Sequence, residues 1–121
     1  MNTNEFNKIF ADTLDRLVSK VSTKGKEYAL DNDRLRNFTR AAEMLRCSKE
    51  QALWGFATKH LVSITEMVDE SSIRGTPIDV WQEKIDDAII YLILLYTIRM
   101  DRIYVVPDDI KAKPNKKKSR R

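Results

Sequence analysis

The stretch WQEKIDDAIIYLILLYTIRMDR, Trp81 to Arg102, decides how this chain folds. It opens on the carboxylates Glu83, Asp86 and Asp87 and runs into AIIYLILLYTI, Ala88 to Ile98, where Thr97 alone is not apolar. A helix that is apolar nearly all round must be covered on several sides, either at the centre of a bundle or in a subunit seam. Its acidic start is then a polar patch at the mouth of a dry core. Three Gly and three Pro in 121 residues favour a mainly helical chain with short connections, and the length is that of one domain.

Upstream, SSIRGTP ends at Thr76-Pro77, a cap followed by proline at the first helical position, with Asp79 suited to the first turn. Before it a helix carries Leu53, Phe56, Ala57, Leu61, Ile64, Met67 and Val68 on one face, with His60 in the stripe, and Ser48 with Gln51 forms the capping box that begins it. The short link makes these two helices antiparallel neighbours. A further helix, capped by Asp33 and closed by Arg46-Cys47, places Leu35, Phe38, Ala41, Ala42 and Leu45 together. The first helix spans about Asn4 to Ser22 and buries Phe6, Ile9, Phe10, Leu14, Leu17, Val18 and Val21, with Gly25 placed to end it. The pattern predicts a loop over Thr23 to Asp33. The expected architecture is an all-α, four-helix bundle-like domain over residues 1–106, forming a homo-oligomer through its greasiest helix, with a disordered basic tail over residues 107–121.

Charge supports that division. The tail PDDIKAKPNKKKSRR has seven Lys or Arg against two Asp, whereas residues 1–106 have fifteen against sixteen, so the net charge of +4 is entirely a property of the tail. Such a tail can add salt-dependent affinity for nucleic acid, but no aromatic residue follows Tyr104 to stack on bases. Cys47 is alone, which excludes an intramolecular disulfide and a thiolate metal site. Residues 1–22 lack the apolar core of a signal peptide, and no apolar run approaches the roughly 20 residues of a membrane span. A cytoplasmic location is expected.

Three groups of residues can carry chemistry. Asp79, Glu83 and Asp86 follow at i, i+4 and i+7, one row on a helix, and Glu66 and Asp69 end the preceding helix. An antiparallel hairpin brings Glu66 level with Glu83, and an oxygen-rich cluster of that kind binds Mg2+ or Mn2+. His60, the one histidine, needs a polar partner at an apolar seam, which a carboxylate of the last helix or Tyr91 can supply. Between Lys24 and Arg40, the donors Lys26, Arg34 and Asn37 gather at a loop–helix junction suited to phosphate, and Tyr28 can stack on a base. No P-loop, dinucleotide glycine motif, serine elbow or HExxH is present.

The blocks KGKEYALDNDRLRNF (Lys24–Phe38), ALWGFATKHLVSITEMV (Ala52–Val68) and EKIDDAIIYLILL (Glu83–Leu95) together resemble a group of small phage-encoded all-α proteins that occur beside nucleotide-metabolism genes. The last block is also similar to the all-α NTP pyrophosphatases of the MazG and dimeric dUTPase kind. That resemblance implies Mg2+ held by an ExxE on one helix and an ExxD on the next, and cleavage of an NTP to monophosphate and pyrophosphate. Glu83-x-x-Asp86 matches the second half. Glu66-x-x-Asp69 matches the first with Asp for the final Glu, and Thr65 stands where an adjacent glutamate is usual. The expectation is a MazG-like nucleotide-handling protein with Glu66, Asp69, Glu83 and Asp86 as metal ligands, and Glu66, Glu83 and Asp86 central to catalysis. Lys26, Arg34 and Lys59 would neutralise phosphate charge, with Tyr28 and Asn37 on base or sugar and His60 a further ligand-binding candidate. Two alternatives stand beside it: a binder that uses the same pocket to sequester a nucleotide or host signal without turnover, and a small helical interaction protein whose basic tail touches nucleic acid.

Overall fold

The computed structural model describes residues 1–28, 34–71 and 73–104, with the backbone alone for 24–28 and 103–104. It is an all-α domain of four packed helices: α1 (Thr3–Tyr28), α2 (Arg36–Leu45), α3 (Lys49–Met67) and α4 (Ile78–Tyr104). No helix among the described residues is long and apolar enough to cross a membrane. The tail at 107–121 and the predicted cap Asp33 lie outside the described residues.

Local chemistry explains most helix ends. Ser48 accepts from the Gln51 backbone N–H at 3.0 Å while the Gln51 side chain accepts from the Ser48 N–H at 3.0 Å, so two orphan donors of α3 are satisfied reciprocally. The Pro77 carbonyl accepts from Trp81 N–H, which makes proline the residue that opens α4, one position earlier than its role in the sequence reading. Arg46 closes α2 in the left-handed region at φ 55, and the Cys47 N–H bonds back to the Ala42 carbonyl. At the start of α2, Leu35 stands at the cap without a side-chain bond. Gly25 does not end α1, which runs on to Tyr28. One glycine costs a helix only about 1 kcal/mol, and the flanking Lys24, Lys26 and Glu27 are good helix formers.

The core joins α2, α3 and α4. Leu35 and Phe38 from α2, Leu53 and Ala57 from α3 and Ile98 from α4 are buried together, with Tyr91, Leu94 and Leu95 packed on them. The tilted ring of Phe56 and the edge-on ring of Tyr91 flank Phe38, centroids 5.9 and 6.4 Å away. α3 and α4 are antiparallel, since His60 meets Asp87 while Glu50, earlier on α3, meets Arg99 and Arg102, later on α4.

α1 departs from the sequence reading. Among the described residues the one helix it packs against is α4, with Arg34 ahead of α2 also reaching its Val21 carbonyl, and Leu17, 6% exposed, is the buried member of its stripe. Phe6, Ile9, Phe10, Leu14 and Val18 are exposed, not buried. Periodicity marks the face that wants cover, but a single chain covers it only where α1 meets α4. Leu45, Phe56 and Val68 are likewise exposed at the ends and margins of their stripes.

Candidate functional site

α1 and α3 both pack on α4, and no close backbone approach joins α1 to α3 among the described residues. α4 therefore forms the floor between two flanking helices. The functional side chains lie where each flank meets that floor.

On the α1 side the central group is Asp86, a charged residue with 0% exposure. Arg16 donates from Nε to Oδ2 at 2.7 Å and from Nη2 to Oδ1 at 2.8 Å. Lys20 Nζ stands 3.0 Å from Oδ2. Arg16 and Lys20 are one turn apart on α1 and bracket Leu17, so the residue that seats α1 also aims both cations. Arg16 hydrogen bonds, reinforced by Lys20, outweigh burial and hold the Asp86 carboxyl below the usual carboxylate range. Two cations on one acid leave a net positive charge at the edge of the contact, where the Arg16 and Lys20 side chains are 28% and 29% exposed.

On the α3 side, Asp87 points the other way round α4. His60 Nδ1 lies 3.9 Å from its Oδ2, and the His60 ring packs at 4.8 Å on Tyr91. Asp87 and Tyr91 thus both lie beside His60, the carboxylate beyond hydrogen-bond reach and the tyrosine in ring contact. Adjacent positions on a helix differ by about 100° in direction, which is how Asp86 and Asp87 serve different neighbours.

The remaining candidates are dispersed. Glu66, Glu83 and Lys59 are exposed, as is Asn37 in the first turn of α2. The α3–α4 register places Glu66 level with Glu83, as expected, yet neither side chain is buried. Asp69 accepts from the Ser71 backbone N–H at 3.0 Å and from its hydroxyl at 2.8 Å, which lowers its carboxyl. Arg34 reaches back to α1 and donates to the Val21 carbonyl at 3.1 Å. The side chains of Lys26 and Tyr28 lie outside the described residues.

A hard cation needs several carboxylate oxygens converging on one point. Both oxygens of Asp86 are already engaged by Arg16 and Lys20. No group of three or more His, Cys, Asp or Glu among the described residues is arranged to hold a metal ion. Glu66, Asp69, Glu83 and Asp86, as placed in one chain, do not fit Mg2+.

Sequence reasoning missed Arg16, Lys20 and the role of Asp87. Arg16 and Lys20 look like solvated residues beside an apolar stripe, and the one available signal was that, at i and i+4, they form one cationic row flanking Leu17. It also missed Glu50, which accepts from Arg99 and Arg102, each at 2.8 Å, and locks the start of α3 to the end of α4. No family model matches the chain, and no curated protein and no solved structure is significantly similar to it.

Proposed function

We propose that this protein binds a nucleotide-like phosphorylated ligand over α4, between α1 and α3, and holds it without hydrolysing it. The observation that carries this reading is the convergence of Arg16 and Lys20 on the buried Asp86. A guanidinium has five N–H donors and an ammonium three. Arg16 gives two to Asp86 and a long one, 3.5 Å, to Thr13 Oγ1, and Lys20 gives one to Asp86, so the partly exposed pair still retains donors and positive charge for phosphate oxygens. Asp86 fixes both cations in place beforehand, which reduces the ordering cost of binding. His60 and Tyr91, whose rings meet at a tilt on the α3 side of α4, offer an aromatic surface and a ring N–H to a base or sugar. The resemblance to small phage proteins and to MazG-type enzymes supports the ligand class.

A second reading, Mg2+-dependent pyrophosphohydrolysis, rests on the literal Glu83-x-x-Asp86 match and needs a convergence of carboxylates that the described residues of one chain do not supply. One experiment separates the two. The full chain is incubated with common ribo- and deoxynucleoside triphosphates, with and without Mg2+, while melting temperature and product are followed. Ligand held only by the folded state raises apparent stability. Binding predicts a raised melting temperature without monophosphate or pyrophosphate, and loss of that rise in Arg16→Met. Turnover confined to Mg2+ replaces this reading by the enzymatic one; neither a melting shift nor product rejects both.

A further inference from the structure

We propose that a second copy of this chain covers the open apolar face made by the N-terminal half of α1 and the side of α4 turned away from α3. The inference stands on packing alone and needs no ligand. Phe6, Phe10, Leu14 and Leu17 share one face of α1 at i, i+4, i+8 and i+11. That face is closed at Leu17 and open upstream, where Phe6 and Phe10, each 55% exposed, stack on one another with centroids 6.1 Å apart. The stripe runs past the end of its cover. On α4 the residues Ile85, Leu92, Ile93 and Tyr96, at i, i+7, i+8 and i+11, are exposed on the side opposite Tyr91 and Ile98. This is the side of the all-round apolar helix that the described residues of its own chain leave bare.

Three observations select a second copy as the occupant. The first is size. The exposed parts of Phe6, Ile9, Phe10, Leu14 and the four α4 residues offer on the order of 900 Å2, against roughly 800 Å2 per partner in a stable interface and about 300–600 Å2 for the largest patch on a typical monomer.

The second is self-complementarity. The free half of α1, Thr3 to Asp15, is ~20 Å long, and the open stripe from Ile85 to Tyr96 is ~18 Å. A two-fold axis can lay each copy's α1 on the other's α4 reciprocally, the closed arrangement of an isologous dimer. The third is charge. Residues 1–106 are nearly neutral, so two copies repel little, and the face of α1 opposite the open stripe carries Glu5, Asp12 and Asp15 against Lys8, the wrong sign for an anionic membrane surface. The basic tail has little apolar surface of its own to offer, Ile110 being the one large apolar side chain in residues 107–121.

The test is light scattering on the full chain after gel filtration at about 50 µM, above the micromolar end of Kd for interfaces of this size. The expected mass is twice 14.1 kDa. Phe10→Glu on α1 and Leu92→Glu on α4 should each return it to 14.1 kDa with far-UV helicity retained, whereas Met44→Glu, at an exposed site on α2, should leave the dimer intact. Helicity checks that each variant folds. A 14.1 kDa wild type, a dimer unaffected by either α1 or α4 variant, or equal dissociation by Met44→Glu overturns the proposal. Binding of the wild type to anionic vesicles with no dimer in solution does so as well.

Discussion

Arg16 and Asp86, 70 residues apart, meet side-on through two hydrogen bonds of 2.7 and 2.8 Å, and this pair joins α1 to the other three helices. The carboxylate is wholly buried while the guanidinium keeps an edge in solvent. Desolvation therefore falls unequally on the two partners, and the consequences of breaking the pair are unequal too.

Removing the cations should cost more than removing the acid. Arg16→Met leaves a buried carboxylate with Lys20 alone, a loss of about 3 kcal/mol for an undercompensated buried charge. Asp86→Asn leaves two side chains that can turn to water, and should cost about 1–2 kcal/mol in lost charged hydrogen bonds. Urea denaturation of the two variants at neutral pH gives the order directly. A larger loss in Asp86→Asn than in Arg16→Met contradicts the assignment of Asp86 as the group that requires compensation.

Acid should loosen the fold in a defined window. Asp86 is held below the ordinary carboxylate range by Arg16, and burial opposes this only partly. For Glu50, burial pushes upward, but the bonds from Arg99, its own backbone N–H and Arg102 bring it net downward. Depressed folded-state values mean that the unfolded chain binds more protons, so stability rises with pH through the window. The contribution is complete above the unfolded carboxylate values of about 4 and is lost as pH falls below them through the folded values. Urea midpoints measured from pH 7 to pH 3 should hold steady and then drop, with a shallower drop in Asp86→Asn. Identical acid limbs in wild type and variant would remove the basis for the Asp86 shift.

Core and α1 substitutions should separate sharply. Leu53 has no exposure and sits among Leu35, Phe38, Ala57 and Ile98, so Leu53→Ala should cost about 3 kcal/mol through lost burial and a residual cavity. Leu14→Ala, at a site 47% exposed within the single chain, should change the stability of the dilute monomer by less than about 0.5 kcal/mol. Chemical denaturation at low protein concentration tests both. A Leu14→Ala loss as large as that of Leu53→Ala means that α1 is covered within its own chain.

Arg46 offers a stabilising change. It is a non-glycine residue at φ 55, where a Cβ is crowded and glycine is not. Its backbone N–H reaches the Ala42 and Glu43 carbonyls, which any residue can do, and its side chain is exposed. Arg46→Gly should raise stability by about 0.5–1 kcal/mol, read as a higher melting temperature. A lower melting temperature would show that the Arg46 side chain contributes more than its backbone strain costs.

The sequence by itself determined the helices and most of their ends, because these depend on neighbours within a few residues. The Ser48–Gln51 capping box, a start of α4 at Pro77 to within one position and the apolar run from Ala88 to Ile98 can all be read without knowing what lies across from them. The α3–α4 hairpin follows from a short link, and with it the meeting of His60 with the acidic end of α4. Periodicity also identified the α1 stripe correctly as an apolar face. Tertiary structure alone decided which parts of these faces find cover. Asp79, Glu83 and Asp86 occupy one row, yet α1 crosses at Asp86, so that carboxylate is buried with Arg16 and Lys20 while Glu83 stays in water. Leu17 is closed and Phe10 is open for the same reason. The pattern of a helix records what it can bury; where another helix crosses it depends on the packing of the whole chain, and no local spacing encodes that.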